Sequence, residues 1–138
     1  MRPHGSRSLR VYLVEDSPLV VERLREAMEE DGEKVVGHAD AAATAITEIV
    51  ALRPDAVVID IALTEGTGLH VLKGIGEIPE NDRPACVVLT NFNREWYQDA
   101  AKRLGADYFF DKSRQIPEML DVLRSMIPSR RRGPAPAG

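Results

Sequence analysis

Five short apolar runs, each followed by a longer stretch with helical spacing of apolar residues, organise this sequence. The runs cover residues 9–14, 34–38, 56–59, 85–89 and 108–110. Strands that alternate with helices form a parallel sheet with helices on both faces, because each parallel connection needs a long, right-handed crossover. The sequence therefore predicts a (βα)5 domain of the α/β class, doubly wound around a five-stranded parallel sheet.

The helices are predicted from apolar residues at a spacing of three or four. Ser17 and Pro18 suit the start of the first helix, since serine caps helices and proline fits the first helical position. A second helix over residues 41–52 is predicted to bury Val50 among other apolar residues. The last helix is predicted over residues 115–127.

Length and composition indicate one soluble domain. The chain has 138 residues, the usual size of one domain, and we predict that it covers residues 9–127, after an extension at 1–8 and before a disordered Pro- and Arg-rich tail at 128–138. A net charge of −4 argues against nucleic acid as a partner, so no direct DNA binding is expected. A single cysteine, the lack of a secretory signal and the lack of an apolar run of about 20 residues predict a cytoplasmic protein without membrane contact.

Charged and hydroxyl side chains follow four of the five predicted strands. Glu15 and Asp16 end the first strand, Asp60 ends the third, Thr90 ends the fourth, and Lys112 closely follows the fifth. Sites in open α/β sheets lie beyond the carboxyl ends of the strands. Three carboxylates, one hydroxyl and one ammonium are therefore predicted to converge on one edge of the sheet.

The chemistry of this set favours phosphoryl transfer. Three carboxylates close together repel each other unless a cation is present, and Mg²⁺ prefers carboxylate, water and phosphate oxygens. Lys112 can pair with a phosphoryl oxygen, and Thr90 can donate a hydrogen bond to another. Because a carboxylate can itself be the nucleophile, the residues predict a magnesium-dependent phosphorylation site on an aspartate.

Residues 9–127 resemble the receiver domains of two-component response regulators, in particular stand-alone receivers of the chemotaxis type. The resemblance is carried by the order Glu15-Asp16, Asp60, Thr90 and Lys112. It implies a flavodoxin-like fold with strand order 2-1-3-4-5. It also implies that Asp60 accepts a phosphoryl group from a histidine kinase or a histidine phosphotransfer protein, and that the domain is not an enzyme acting on a separate substrate.

The same resemblance assigns the remaining site residues. Asp16 would bind Mg²⁺ directly with Glu15 beside it, and the backbone carbonyl of Ala62 would complete the ligands with Asp60. Thr90 would be the switch hydroxyl and Phe109 the switch aromatic. The residues alone leave open which face of the fifth strand carries Phe109, so it can equally be a core residue.

Phosphorylation is expected to alter a surface formed by the fourth helix, the fifth strand and the fifth helix. That surface includes Trp96 and Tyr97, and would bind a downstream protein or a second copy of the chain.

Four departures from the family pattern bear on the lifetime of the phosphate or on the loop geometry. Thr64 and Ser113 stand where proline is frequent, and Asn91 and Phe92 replace smaller or acidic residues.

Three other interpretations are weighed beside the switch. An Asp-nucleophile phosphatase usually has a catalytic acid two positions after the nucleophile, where this chain has Ala62. A receiver-like scaffold could bind partners without phosphorylation, and the chain could be the receiver part of a longer DNA-binding regulator. Of the four, the phosphorylated stand-alone switch is the leading interpretation.

Overall fold

The computed structural model describes residues 8–92 and 94–126, and five strands and five α-helices alternate along them. The strands are β1 (Arg10–Val14), β2 (Lys34–Ala39), β3 (Ala56–Ile59), β4 (Ala85–Thr90) and β5 (Tyr108–Asp111). The helices are α1 (Pro18–Glu30), α2 (Ala42–Leu52), α3 (Gly68–Ile75), α4 (Glu95–Arg103) and α5 (Ile116–Ser125), with a short 3-10 turn at Glu80–Asp82. The predicted extension, apart from Ser8, and the predicted tail lie outside the described residues.

All strands are parallel, and their order in the sheet is β2-β1-β3-β4-β5. The α/β class and the strand order implied by the resemblance are therefore confirmed. The β3 strand is fully buried, as predicted for a central parallel strand that is covered on both faces. Within residues 8–92 and 94–126, no helix combines the length and apolar character that a membrane span requires.

Alternate side chains of each strand enter two separate cores, because successive residues of a strand point to opposite faces. On β1, Val11 and Leu13 pack in the core that α1 and α5 cover, whereas Tyr12 and Val14 pack in the core that α2, α3 and α4 cover. Two helices thus cover one face of the sheet, and three helices cover the other. Polar residues can therefore gather at the ends of the strands.

The start of α1 follows the predicted capping. The Ser17 side chain accepts a hydrogen bond from the backbone N–H of Val20 at 3.3 Å, and Pro18 is the first helical residue of α1. The prediction for α2 was wrong in one respect: Val50 is 54% exposed, whereas Ala45 and Ile49 are buried. Ile49 takes the inward position, which turns the adjacent Val50 toward solvent.

Candidate functional site

The two central strands bring three carboxylates to the carboxyl edge of the sheet. β1 pairs with β3, and the backbone N–H of Asp60 donates to the carbonyl of Val14 at 2.9 Å, so the residues that follow the two strands are neighbours. Carboxylate oxygens of Glu15, Asp16 and Asp60 all lie within 4.8 Å of one another. Glu15 and Asp60 are buried and Asp16 is exposed. Among the described residues, this is the only group of three or more acidic, histidine or cysteine side chains arranged closely enough to hold a metal ion.

Lys112 lies between the two buried carboxylates. Its Nζ is 2.6 Å from Asp60 Oδ2 and 2.8 Å from Glu15 Oε1. The lysine side chain is only 15% exposed, so all three charged groups are largely removed from water. One ammonium thus bridges two carboxylates, which leaves the cluster with an excess of negative charge even before Asp16 is counted.

Burial dominates the electrostatics of this cluster. Burial raises the pKa of Glu15 more than its hydrogen bond to Lys112 lowers it, and the nearby charge of Asp60 raises it further. Burial acts to lower the pKa of Lys112, but the hydrogen bonds to Asp60 and Glu15 and the charges of these two carboxylates together outweigh burial, so the pKa is raised. Lys112 therefore stays protonated at neutral pH, and the acidic side of the cluster would gain from an additional cation.

Thr90 ends β4, next to β3 in the sheet, and is fully buried. Its Oγ1 accepts a hydrogen bond from the backbone N–H of Phe92 at 3.1 Å. Its carbonyl accepts from the backbone N–H of Lys112 at 3.0 Å. Thr90 thus joins the carboxyl edge of the sheet and fixes the backbone from which the Lys112 side chain extends.

The loop after Asp60 is folded back against it. The backbone N–H of Ala62 donates to Asp60 Oδ1 at 3.3 Å, and the role of the Ala62 carbonyl as a Mg²⁺ ligand stays a prediction. The N–H of Gly68 donates to the carbonyl of Ile61 at 2.9 Å, and a Cβ atom on Gly68 would overlap the backbone carbonyl of Asp60. Glycine is therefore needed at position 68 for α3 to start this close to the site.

The same loop is also tied to the start of α2. The N–H of Thr64 donates to the carbonyl of Asp40 at 3.1 Å, and the N–H of Ala42 donates to the carbonyl of Glu65 at 2.9 Å. Thr64 therefore uses its backbone N–H in a hydrogen bond that a proline could not make. These two hydrogen bonds hold the outer side of the loop that carries Ala62.

Phe109 lies on the face of β5 that packs against the α2–α4 core, and it is half-buried. Tyr108 and Phe110 point to the opposite face, where their rings are stacked with centroids 6.0 Å apart. Phe109 also lines a cavity of about 370 Å³ together with Gln98 and Asp111. The structure thus settles which face Phe109 occupies, and its assignment as a switch residue stays a prediction.

Sequence reasoning missed the hydrogen bonds of the turn after β5. Asp111 is buried, and its Oδ1 accepts from both the backbone N–H and the hydroxyl of Ser113. The signal was present, because an aspartate followed two residues later by serine is typical of turns closed by side-chain hydrogen bonds. All peptide bonds of the described residues are trans, including Lys112–Ser113.

Comparisons with known proteins agree on one family. The family model described as "Response regulator receiver domain" matches residues 11–124. The chain is 25% identical over 124 residues to the uncharacterized transcriptional regulatory protein YvfU from Bacillus subtilis, covering 89% of this chain and 61% of that protein. It is 34% identical over 119 residues to the transcriptional regulatory protein BtsR from Salmonella typhi, covering 84% of this chain and 48% of that protein.

Solved structures show the same fold. The response regulator domain of CheB from Thermotoga maritima is 24% identical and superposes with a TM-score of 0.78, covering 90% of this chain and 99% of that domain. The chain spans less than two thirds of the length of YvfU and about half that of BtsR.

Proposed function

Because this chain belongs to the response regulator receiver domain family, we propose that it accepts a phosphoryl group on Asp60 and acts as a signalling switch. The observation that carries this proposal is the contact of Asp60 with Lys112, at 2.6 Å, inside a cluster that also holds Glu15 and Asp16. The carboxylate that would attack is thus already held beside the cation that would stabilise the product.

The reaction needs a phosphorylated donor, which we propose is the phosphohistidine of a kinase or of a phosphotransfer protein. A carboxylate oxygen of Asp60 attacks phosphorus and forms a new O–P bond. The bond between phosphorus and the imidazole nitrogen breaks, and its electron pair stays on nitrogen. Because the second ring nitrogen carries a proton, the donor leaves as neutral imidazole. Later attack of water on phosphorus releases inorganic phosphate and restores Asp60.

The side chains around Asp60 would handle the charge that this step creates. Lys112 exchanges its bond to Asp60 for a bond to a phosphoryl oxygen, and the Thr90 hydroxyl donates to another. Glu15, Asp16, Asp60 and the carbonyl of Ala62 would hold Mg²⁺, a donor set of hard oxygens that suits this ion. When bound, Mg²⁺ neutralises negative charge shared by the carboxylates and the phosphoryl group.

The readout of the switch is proposed to be protein binding at the surface formed by α4, β5 and α5. Trp96 is 63% exposed there, and its ring contacts Tyr97 edge-on at 4.7 Å. Tyr108 on β5 is also exposed. Thr90 is the last residue of β4, and Lys112 directly follows β5. Movement of these two residues toward a phosphoryl group would therefore reach this surface directly, and a downstream protein or a second copy could detect the change.

The proposal is tested by labelling the protein with acetyl phosphate in the presence of Mg²⁺ and measuring the intact mass. Wild-type protein is expected to gain one phosphoryl group, and Asp60→Asn none, because an amide is not a nucleophile for phosphorus. Asp82→Asn is the matched control, since Asp82 is an exposed carboxylate that pairs with Arg53 and lies far from the strand ends that carry the site. Full labelling of Asp60→Asn would refute Asp60 as the acceptor.

A further inference from the structure

The turn between β5 and α5 is closed by hydrogen bonds that all meet at Asp111. Its Oδ1 accepts from the backbone N–H of Ser113 at 2.8 Å and from the Ser113 hydroxyl at 2.6 Å. Its backbone N–H donates to Gln115 Oε1 at 2.8 Å, and its carbonyl accepts from the N–H of Gln115 at 2.8 Å. A single residue thus organises both the side-chain and the backbone bonds of the turn.

Lys112 lies inside this turn and takes part in none of those bonds. Its own backbone N–H donates to the carbonyl of Thr90 at 3.0 Å, which ties it to β4. The residue after Lys112 is Ser113, which is held by two hydrogen bonds to Asp111. The backbone of Lys112 is therefore fixed from both directions, and its flexible side chain has to span only the distance from a fixed Cα to Glu15 and Asp60.

This fixation matters because a lysine side chain loses rotamer entropy when it is held in one position. A mobile backbone would add to that cost and would spread the ammonium over many positions. Misplacement of a reacting group by about 1 Å can reduce a rate by as much as a hundredfold. The turn thus contributes to the site although none of its bonds reaches the reacting atoms.

We propose that Asp111 is a positioning residue for Lys112, acting through Ser113. The inference rests on the proposed function, because it assigns Lys112 to the phosphoryl group. Asp111 is 8% exposed, and its ion pair with Arg114, whose Nε is 3.7 Å from Oδ2, involves a side chain that is 77% exposed. Such an exposed pair is weak. The two bonds to Ser113 are the contacts through which Asp111 would position Lys112.

The test compares Asp111→Ala with Asp111→Asn. Asparagine keeps an oxygen that can accept both bonds from Ser113, and alanine keeps none. Labelling by acetyl phosphate is expected to be about tenfold slower in Asp111→Ala, a loss of about 1.4 kcal/mol, and close to wild type in Asp111→Asn. Ser113→Ala removes the hydroxyl bond alone and is expected to fall between them, which keeps the test open if Asp111→Ala does not fold.

Asp107→Ala is the matched control for a purely structural effect. Asp107 Oδ2 accepts from the backbone N–H of Cys86 at 2.8 Å, at the opposite end of the sheet. Its loss is expected to lower the midpoint of urea unfolding without slowing the labelling of the folded protein. Equal labelling rates in Asp111→Ala and wild type, or an Asp111→Asn variant as slow as Asp111→Ala, would overturn the positioning role.

A second measurement needs no phosphodonor and separates this inference from the proposed function. The ¹⁵N signal of the Lys112 ammonium is expected to be sharp in the wild type, because two carboxylates shield its protons from exchange with water. It should broaden in Asp111→Ala and persist in Asp111→Asn and Asp107→Ala. If wild-type protein is not labelled but this pattern is seen, phosphorylation of Asp60 fails while the positioning of Lys112 stands. An unchanged signal in Asp111→Ala would overturn the positioning.

Discussion

Two pairs of carboxyl groups lie at opposite ends of the sheet, and a different cation contacts each pair. At the carboxyl end, the Lys112 ammonium contacts both Glu15 and Asp60. At the amino end, in the turn before β2, Arg124 contacts Asp31 at 2.7 Å, whereas both oxygens of Glu33 are buried and accept no hydrogen bond. Glu33 is only 3% exposed, so its carboxyl group is shielded from water.

The difference shows two ways in which a protein can keep a carboxyl group away from water. Lys112 keeps Asp60, the proposed nucleophile, beside a positive charge. Burial, a hydrogen bond to Asp31 and the charge of Asp31 together raise the pKa of Glu33 to about 8, so Glu33 carries a proton at neutral pH. A protonated carboxyl group can donate to Asp31 and needs no cation. At the carboxyl end of the sheet an ammonium group pairs with the carboxylates, whereas at the amino end a proton neutralises Glu33.

The largest effect is expected for Lys112→Met, which removes the cation from the site. Both carboxylates would then stay buried without a cation, so the free energy of unfolding should fall by about 3 kcal/mol in the absence of divalent ions. Millimolar Mg²⁺ should restore much of this loss, because the ion replaces the missing charge. Urea unfolding with and without Mg²⁺ measures both effects. Unchanged stability of the variant without Mg²⁺ would contradict the pairing seen in the structure.

An intermediate effect is expected for Glu33→Gln, which removes the proton-binding group at the amino end. In the wild type, a raised folded-state pKa means that stability is full below about pH 4.5 and falls as the pH rises through about 8. The wild type should therefore lose about 2 kcal/mol between pH 6 and pH 8, and Glu33→Gln should lose much less.

Glu30→Gln is the matched control, because Glu30 is an exposed carboxylate at the end of α1. Its stability should follow that of the wild type over the same pH range. A wild-type protein whose unfolding free energy is flat from pH 6 to pH 8 would show that Glu33 is ionised in the folded protein.

The smallest effect is expected for Arg124→Ala. Arg124 is half-exposed and its ion pairs with Asp31 and Asp121 are partly in water, so little stability depends on them. Its charge does lower the pKa of Glu33, although burial and Asp31 act more strongly in the opposite direction. Removing it should shift the loss of stability to a higher pH. The pH of half-maximal loss, compared with that of an exposed control, Arg103→Ala, measures the shift. A shift to lower pH would contradict the arrangement.

Sequence reasoning was successful where one rule governs the outcome. The buried β3 strand is apolar throughout, so its limits at Ala56 and Ile59 follow directly. The convergence of Glu15, Asp60 and Lys112 follows from parallel strands alone, because their carboxyl ends share an edge. The family was reached from these residues and is confirmed by the match over residues 11–124.

Sequence reasoning was less successful where several rules compete. Val50 and Ile49 are equally apolar neighbours, and only the packing of α2 on the sheet decides which of them is buried. The face of Phe109 depends on the register of β5, which alternation cannot fix in a run of three aromatic residues. Glu33 is the clearest case, since a charged residue in a turn is expected to be exposed.

The contact between Lys112 and Glu15 joins residues that are 97 positions apart in the chain. During synthesis, β1 and β3 emerge from the ribosome well before β5, so Glu15 and Asp60 are present while their cation is not. The acceptor site that we propose is therefore complete only after the last strand has been added and docked. In this proposal, Lys112 makes phosphorylation conditional on a finished domain.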